Sequence, residues 1–217
     1  MNVTIRPVTA FQQNCSILID EATRAAAVVD PGGDIDDILA IIEKAGAHLE
    51  KIFVTHGHLD HCGATAPLRR RSGAKVEGPQ IEDAFWINQL ADSAARYGFP
   101  PAESFVPDRW LEDGNSVRFG NVTLEVRHCP GHTPGHVIFY SGDDQLAIVG
   151  DVLFQGSIGR SDFPRGDGPT LIRSITERLW PLGNDVTFIP GHGPISTFGE
   201  ERESNPFVAD RVLKGRQ

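Results

Sequence analysis

At 217 residues, 40% hydrophobic and 23% charged, the chain has the make-up of an ordinary soluble globular protein and a length that one domain over 1–217 accounts for. A formal net charge of -9 argues against a nucleic-acid partner, and no apolar run approaches the ~20 residues of a membrane-spanning helix. The opening MNVTIRPVTAF lacks a signal-type apolar stretch, and Cys15, Cys62 and Cys129 are too scattered for a disulfide framework, so a cytoplasmic protein is expected.

Short β-branched runs alternate with helical patterns, which predicts an α/β protein. Val3 to Val8, Cys15 to Ile19 and Ala25 to Val29 read as strands, the last stopped by the turn sequence Asp30-Pro31-Gly32-Gly33. Asp34 is a good N-cap for a helix with Ile35, Ile38, Leu39 and Ile42 at helical spacing and Gly46 as its stop. A strand over 51–55 follows. Arg69, Arg70 and Arg71 read as the solvated C-terminal turn of a helix, where the helix dipole favours cations. Residues 80–98 form a polar helical stretch whose Phe85, Trp86 and Tyr97 are open between covering a pocket and the more common use, aromatic packing in the core. Strands over 122–126, 146–150 and 186–189 complete the pattern, with a helix over 169–179 that aligns Leu171, Ile172, Ile175 and Leu179 on one side.

Four of these strands end alike. The strand over 51–55 runs into His56-Gly57-His58-Leu59-Asp60-His61, and the next leads to Gly131-His132. The third and fourth lead to Asp151 and to Pro190-Gly191-His192. Loops beyond the carboxyl ends of strands are where α/β folds collect functional groups, so these side chains are expected to meet at one edge. Three histidines and an aspartate within six residues are improbable by chance in a chain holding 8 histidines. In a tight loop His56 and His58 can face one ion while Asp60 and His61 reach a second. Imidazole and carboxylate donors suit zinc, and also iron or manganese. His48 reads as a surface residue, and Cys62 and Cys129 as packing. His128 and His136 are open between structural and ligand-supporting roles. Arg160 and Asp162 are open between a loop brace and substrate recognition.

The segment Thr55-His56-Gly57-His58-Leu59-Asp60-His61 resembles the signature of the metallo-β-lactamase superfamily, and Gly131-His132, Gly150-Asp151 and Gly191-His192-Gly193 match its remaining ligands in type and order. The resemblance implies a four-layer αββα sandwich with two divalent ions, zinc foremost. One would be held by His56, His58 and His132, the other by Asp60, His61 and His192, with Asp151 bridging. Within the superfamily, Pro7-Val8-Thr9-Ala10-Phe11-Gln12-Gln13-Asn14-Cys15, Val29-Asp30-Pro31-Gly32-Gly33, His128-Cys129-Pro130-Gly131-His132-Thr133-Pro134-Gly135-His136 and Gly159-Arg160-Ser161-Asp162-Phe163-Pro164-Arg165-Gly166-Asp167 resemble the glyoxalase II group, particularly its short bacterial form. That likeness implies a thioesterase converting S-lactoylglutathione to lactate and glutathione, using a hydroxide shared by the metals and oriented by Asp60. The longer enzymes of the group carry a C-terminal helical domain that holds glutathione, which is not expected here. Arg160 is therefore the candidate for gripping a substrate carboxylate. Persulfide dioxygenases with a single iron resemble the chain too, and lactone and other ester hydrolases share the expected fold.

Overall fold

In the computed structural model, which describes residues 1–215, two β-sheets face each other and carry helices on their outer sides. The first sheet contains β1 (Asn2–Val8), β2 (Gln13–Ile19), β3 (Ala25–Val29), β4 (His48–Phe53) and β5 (Lys75–Glu77), paired in that order. β1 to β3 run antiparallel, and β3, β4 and β5 run parallel through helical crossovers. The crossover before β4 is α1 (Ile35–Lys44); the one after it contains α2 (Leu59–Cys62) and α3 (Thr65–Ser72). Two short helices, α4 (Ala84–Ile87) and α5 (Leu90–Tyr97), then precede the second sheet.

That sheet begins with β6 (Ser116–Phe119), β7 (Val122–His128), β8 (Val137–Ser141) and β9 (Leu146–Gly150) as an antiparallel meander. A small ribbon, β10 (Leu153–Phe154) with β11 (Ser157–Ile158), and α6 (Gly168–Ser174) lead to β12 (Thr187–Pro190), which joins β9 in parallel, and to β13 (Ser196–Thr197). The chain continues through α7 (Phe198–Ser204) and α8 (Asp210–Lys214).

Side chains alternate across each strand, so each sheet buries two different sets. Leu18, Ala27, Val29 and Phe53 of the first sheet meet Phe119, Val126, Phe139 and Ile148 of the second. On the other face of the first sheet, Ile17, Val28 and Ile52 pack with Ile38 and Ile42 of α1 and Leu68 of α3. The outer face of the second sheet joins Ile138, Val149 and Phe188 to Leu171, Ile175 and Phe198. The result is an α/β protein, as the strand and helix pattern predicted, and the four-layer αββα sandwich that the superfamily resemblance implied. Phe53 sits fully buried between the sheets, its ring 5.3 Å from Phe139 and 6.3 Å from Phe119. Phe53→Ala is expected to cost about 3–5 kcal/mol in a denaturant titration, because the rigid sheets cannot collapse into the void. An unchanged unfolding midpoint would contradict this packing role.

Several local expectations change. Asp34 is not a side-chain cap: it has φ 50°, and its carboxylate instead accepts the Thr9 amide at 2.8 Å, tying α1 to the β1–β2 turn. The strand expected over 51–55 ends at Phe53, because the Thr55 amide turns to the Asp30 carboxylate at 2.7 Å. The stretch over 80–98 is broken into a single turn over Ile81–Asp83, α4 and α5. The arginine run does close a helix, α3, as expected, and its side chains pair with Asp108, Glu103 and Asp36 on the surface. His48 is exposed, and the three thiols are buried and unlinked.

Candidate metal centre

The loops after β4, β7, β9 and β12 bring His56, His132, Asp151 and His192 to one end of the sandwich. β4 belongs to the first sheet and the other three to the second, so the site joins two sheets rather than lying along one edge. His58 occupies the cap position of α2, and the first turn of that helix supplies Asp60 and His61. Gly191 permits the close approach of the last loop: a Cβ there would stand 2.1 Å from Asp151 Oδ1 and 2.6 Å from His61 Cε1.

The ring nitrogens fall into two groups. His58 Nδ1 lies 3.1 Å from His56 Nε2 and 3.0 Å from His132 Nε2. Three imidazoles on one tetrahedral zinc, at bonds near 2.0–2.1 Å, would place their nitrogens about 3.3 Å apart, so the spacing fits such an ion. In the second group His192 Nε2 stands 3.1 Å and His61 Nε2 3.9 Å from Asp60 Oδ2. Asp151 lies between the groups: Oδ2 is 3.5 Å from His132 Nε2 and 3.8 Å from His192 Nε2, while Oδ1 is 3.3 Å from His61 Nε2. His61 Nε2 and Asp151 Oδ1 are both buried with no hydrogen-bond partner. Leaving such atoms unpaired is costly, and a cation between them would satisfy both.

Outward-facing nitrogens are tied down. His61 Nδ1 donates to Asp30 Oδ2 at 2.8 Å, His132 Nδ1 to the Arg160 carbonyl at 2.7 Å and His192 Nδ1 to the Phe11 carbonyl at 3.1 Å. These bonds orient each ring with Nε2 facing inward, the arrangement in which a metal-binding histidine presents its ligand atom. Asp30 is close to His56 and His61, but its oxygens are already occupied by Thr55 and by His61 Nδ1. His136 supports the site: it stacks on His56 at 4.6 Å and its Nε2 accepts the Asp151 amide at 3.1 Å. His128 braces the loop, donating to the Pro134 carbonyl at 2.8 Å. Asn14, which carries no signal of its own in the sequence, holds the His192 loop through the carbonyls of Pro190 and Gly193 at 3.0 and 2.9 Å.

The electrostatics of the two groups differ. Burial, reinforced by the neighbouring imidazoles, keeps His56 well below its usual range and His58 at about 3, so both rings are neutral donors. Burial also favours the neutral form of His61, but the charges of Asp151 and Asp60 beside its Nε2 and the hydrogen bond to Asp30 outweigh it and raise this ring well above its usual value. Asp151 is correspondingly depressed, its burial overcome by His61, His132 and His192. The converging carboxylates of the second group thus favour a positive charge between them.

A cleft of about 550 Å³ opens over Asp60, His132, Asp151 and His192, bordered by Phe11, Phe154, Arg160 and Phe163. A side pocket of about 270 Å³ adjoins it at His58 and Asp60, with Trp86, Arg96 and Tyr97 on its wall. Trp86 and Tyr97 therefore line a pocket beside the site, the less common of the two uses open from the sequence, and Tyr97 is 55% exposed. Arg160 makes a two-point contact with Asp162 at 3.0 and 2.9 Å, its guanidinium 4.6 Å over the Phe163 ring. Cys62 and Cys129 are fully buried, and burial raises both thiols, as packing residues.

A two-sheet sandwich with histidine and aspartate clusters at the strand ends defines a class. The chain belongs to the metallo-beta-lactamase superfamily, whose sequence profile matches residues 8–192, and it is an enzyme of the metallo-hydrolase kind. Within that superfamily its likeness extends to the glyoxalase II type: it is 46% identical over 209 residues to the hydroxyacylglutathione hydrolase GloC of Haemophilus influenzae, covering 96% of this chain and 98% of the relative. It is also 34% identical over 195 residues to the mitochondrial persulfide dioxygenase ETHE1 of Homo sapiens, covering 88% of this chain and 69% of the relative. Among solved structures it resembles the B3 metallo-beta-lactamase BLEG-1, with TM-score 0.88 and 32% identity over 95% of this chain and 99% of the other. TTHA1623 in a di-iron-bound form gives TM-score 0.86 and 33% identity over 95% of this chain and 100% of that one. Among the described residues no helix is long and apolar enough to cross a membrane.

Proposed function

We propose that the chain is a thioester hydrolase of the glyoxalase II type, which cleaves a hydroxyacylglutathione such as S-lactoylglutathione to the hydroxy acid and glutathione. The observation that carries this reading is the position of Asp151, within 4 Å of His132 in one group and of His61 and His192 in the other. Such a carboxylate suits a site for two divalent ions, zinc foremost, with His56, His58 and His132 on one and Asp60, His61 and His192 on the other. When bound, such a pair supplies Lewis acidity toward a carbonyl and a water acidified toward neutrality. The protein's part is positioning. Asp60, which meets His192 at 3.1 Å and lines the cleft with it, would orient the attacking oxygen, while Phe11 and Phe163 would shield the reacting carbonyl from bulk water. A thiolate leaves readily, so the reaction needs no protonated side chain at the leaving group. The 46% likeness to a protein named hydroxyacylglutathione hydrolase supports the same reading.

Metal analysis beside a two-substrate assay tests it. The expected result is two metals per chain with hydrolysis of S-lactoylglutathione. One iron per chain with oxygen uptake dependent on glutathione persulfide would replace it with the dioxygenase reading, to which the human relative gives weight.

Arg160 is proposed to hold a carboxylate of the substrate, since it borders the cleft and its planar fork can exchange Asp162 for another carboxylate. Both partners of that pair are exposed, so the effect is modest: Arg160→Ala should raise KM for S-lactoylglutathione about fivefold at unchanged kcat. An unchanged KM would remove Arg160 from the substrate site and leave the metal assignment standing.

A further inference from the structure

Behind the first group of imidazoles lies a carboxylate that no sequence motif marks. Asp83 ends the single turn Ile81–Asp83 and is completely buried. Its Oδ2 accepts the Gly57 amide at 2.8 Å and the Thr133 hydroxyl at 2.7 Å, and its Oδ1 accepts the Gly135 amide at 2.6 Å. Gly57 stands between His56 and His58, and Thr133 directly follows His132. One carboxylate therefore ties together the two loops that present all three imidazoles of the first group. Those loops leave different sheets, the one after β4 and the other between β7 and β8. Of the described hydrogen bonds and ion pairs of Asp83, none reaches Asp60, His61 or His192.

The fit around Asp83 is close. A Cβ at Gly135 would fall 2.6 Å from the Asp83 nitrogen and 2.8 Å from its Cβ, and one at Gly57 would fall 3.0 Å from its carbonyl oxygen. Among the described residues no lysine, arginine or histidine pairs with the carboxylate. Burying a carboxylate against neutral donors alone is expensive, and a hydrophobic residue would fill a core position at lower cost. What this arrangement provides is a fixed distance between two loops. A centre whose nitrogens must sit about 3.3 Å apart tolerates only a few tenths of an ångström of slack before affinity falls.

We propose that Asp83 is a positioning residue for the first metal, setting the separation of the His56–His58 loop from the His132 loop and hence the affinity of that site, independently of the second. The inference rests on the ligand assignment proposed above. Asparagine keeps the shape of the side chain but turns an N–H₂ toward one of the three donors, so Asp83→Asn breaks the clamp without opening a cavity.

The test is a zinc competition titration against a chromophoric chelator, with metal content measured after desalting. Asp83→Asn should weaken one site about 10- to 100-fold, the range for residues that orient metal ligands, and leave the other within about twofold. In a His58→Ala background, which lacks the first site, Asp83→Asn should leave the remaining affinity unchanged. Thr133→Val, which removes one of the three bonds, should show a smaller loss that Thr133→Ser restores. This pair keeps the question answerable if the Asp83 variants do not fold. A clamp that serves only the fold predicts a different pattern: lower melting temperature of the metal-free protein and equal weakening of both sites. That pattern, or unaltered affinity at both sites, overturns the inference while the ligand assignment stands. Wild-type protein that takes up no zinc overturns the assignment itself, and the inference with it.

Discussion

His58→Ala is expected to abolish tight binding at the first metal position and to lower kcat by about a thousandfold or more, with the fold intact. The size of the loss follows from geometry. His58 Nδ1 is the common neighbour of the other two nitrogens, at 3.1 and 3.0 Å, so its removal leaves His56 and His132 without the third donor that a tetrahedral ion needs. Loss of a single electrostatic stabiliser from a preorganised site costs ~10²–10³ in rate, and here the group that organises that stabiliser is lost. The fold should survive because His58 lies at the rim, in the wall shared by the cleft and its side pocket, and outside the three apolar clusters. Metal content measured beside kcat decides the matter. Full metal occupancy with normal turnover would remove His58 from the ligand set.

The part of the site that is legible in the sequence is the part whose chemistry constrains residue type. A metal demands imidazole and carboxylate, and a loop after a strand demands small residues beside them, so His56 to His61, Gly131-His132, Gly150-Asp151 and Gly191-His192 stand out from the amino-acid order alone. The supporting shell does not. Asp83 is one aspartate in a polar helical stretch, and its meaning appears only when Gly57 and Gly135, far apart in sequence, lie against it. Asn14 is similar, since its carbonyl partners belong to residues 190 and 193. For Trp86 and Tyr97 the sequence leaves a core face and a cleft wall both open, because aromatic spacing on a helix is the same for either. In the structure Trp86 lies on α4 and Tyr97 at the end of α5, and both line the side pocket.

The same distinction holds for the fold. The strand over 146–150 is fully legible, whereas β8 escapes a reading by pattern, although it lies in the middle of the second sheet. Val137 to Ser141 is buried at every position, as β3 is, but it follows the glycine- and proline-rich loop of the His132 motif, which conceals its start. Asp34 departs from expectation for another reason. An acidic residue ahead of an apolar helical pattern is a good cap on propensity, but the tertiary contact with Thr9 claims its carboxylate.

Asp151→Ala should be more damaging to metal content than His58→Ala, taking the protein from two metals toward less than one per chain. His58 contacts nitrogens of the first group only, whereas Asp151 approaches His132 on one side and His61 and His192 on the other, so its loss removes a donor from both positions. Charge makes the effect larger. Asp60 would be the only carboxylate remaining among the proposed ligands, and two divalent ions a few ångströms apart would repel with little between them to offset it. Asp151→Asn separates the two contributions: it preserves the shape and one oxygen but removes the negative charge, and should retain one metal. Equilibrium dialysis against buffered zinc, followed by metal analysis of both variants, measures this directly. Two tightly held metals in Asp151→Ala would mean that Asp151 does not bridge, and that the groups around His58 and His61 are independent sites joined only by proximity.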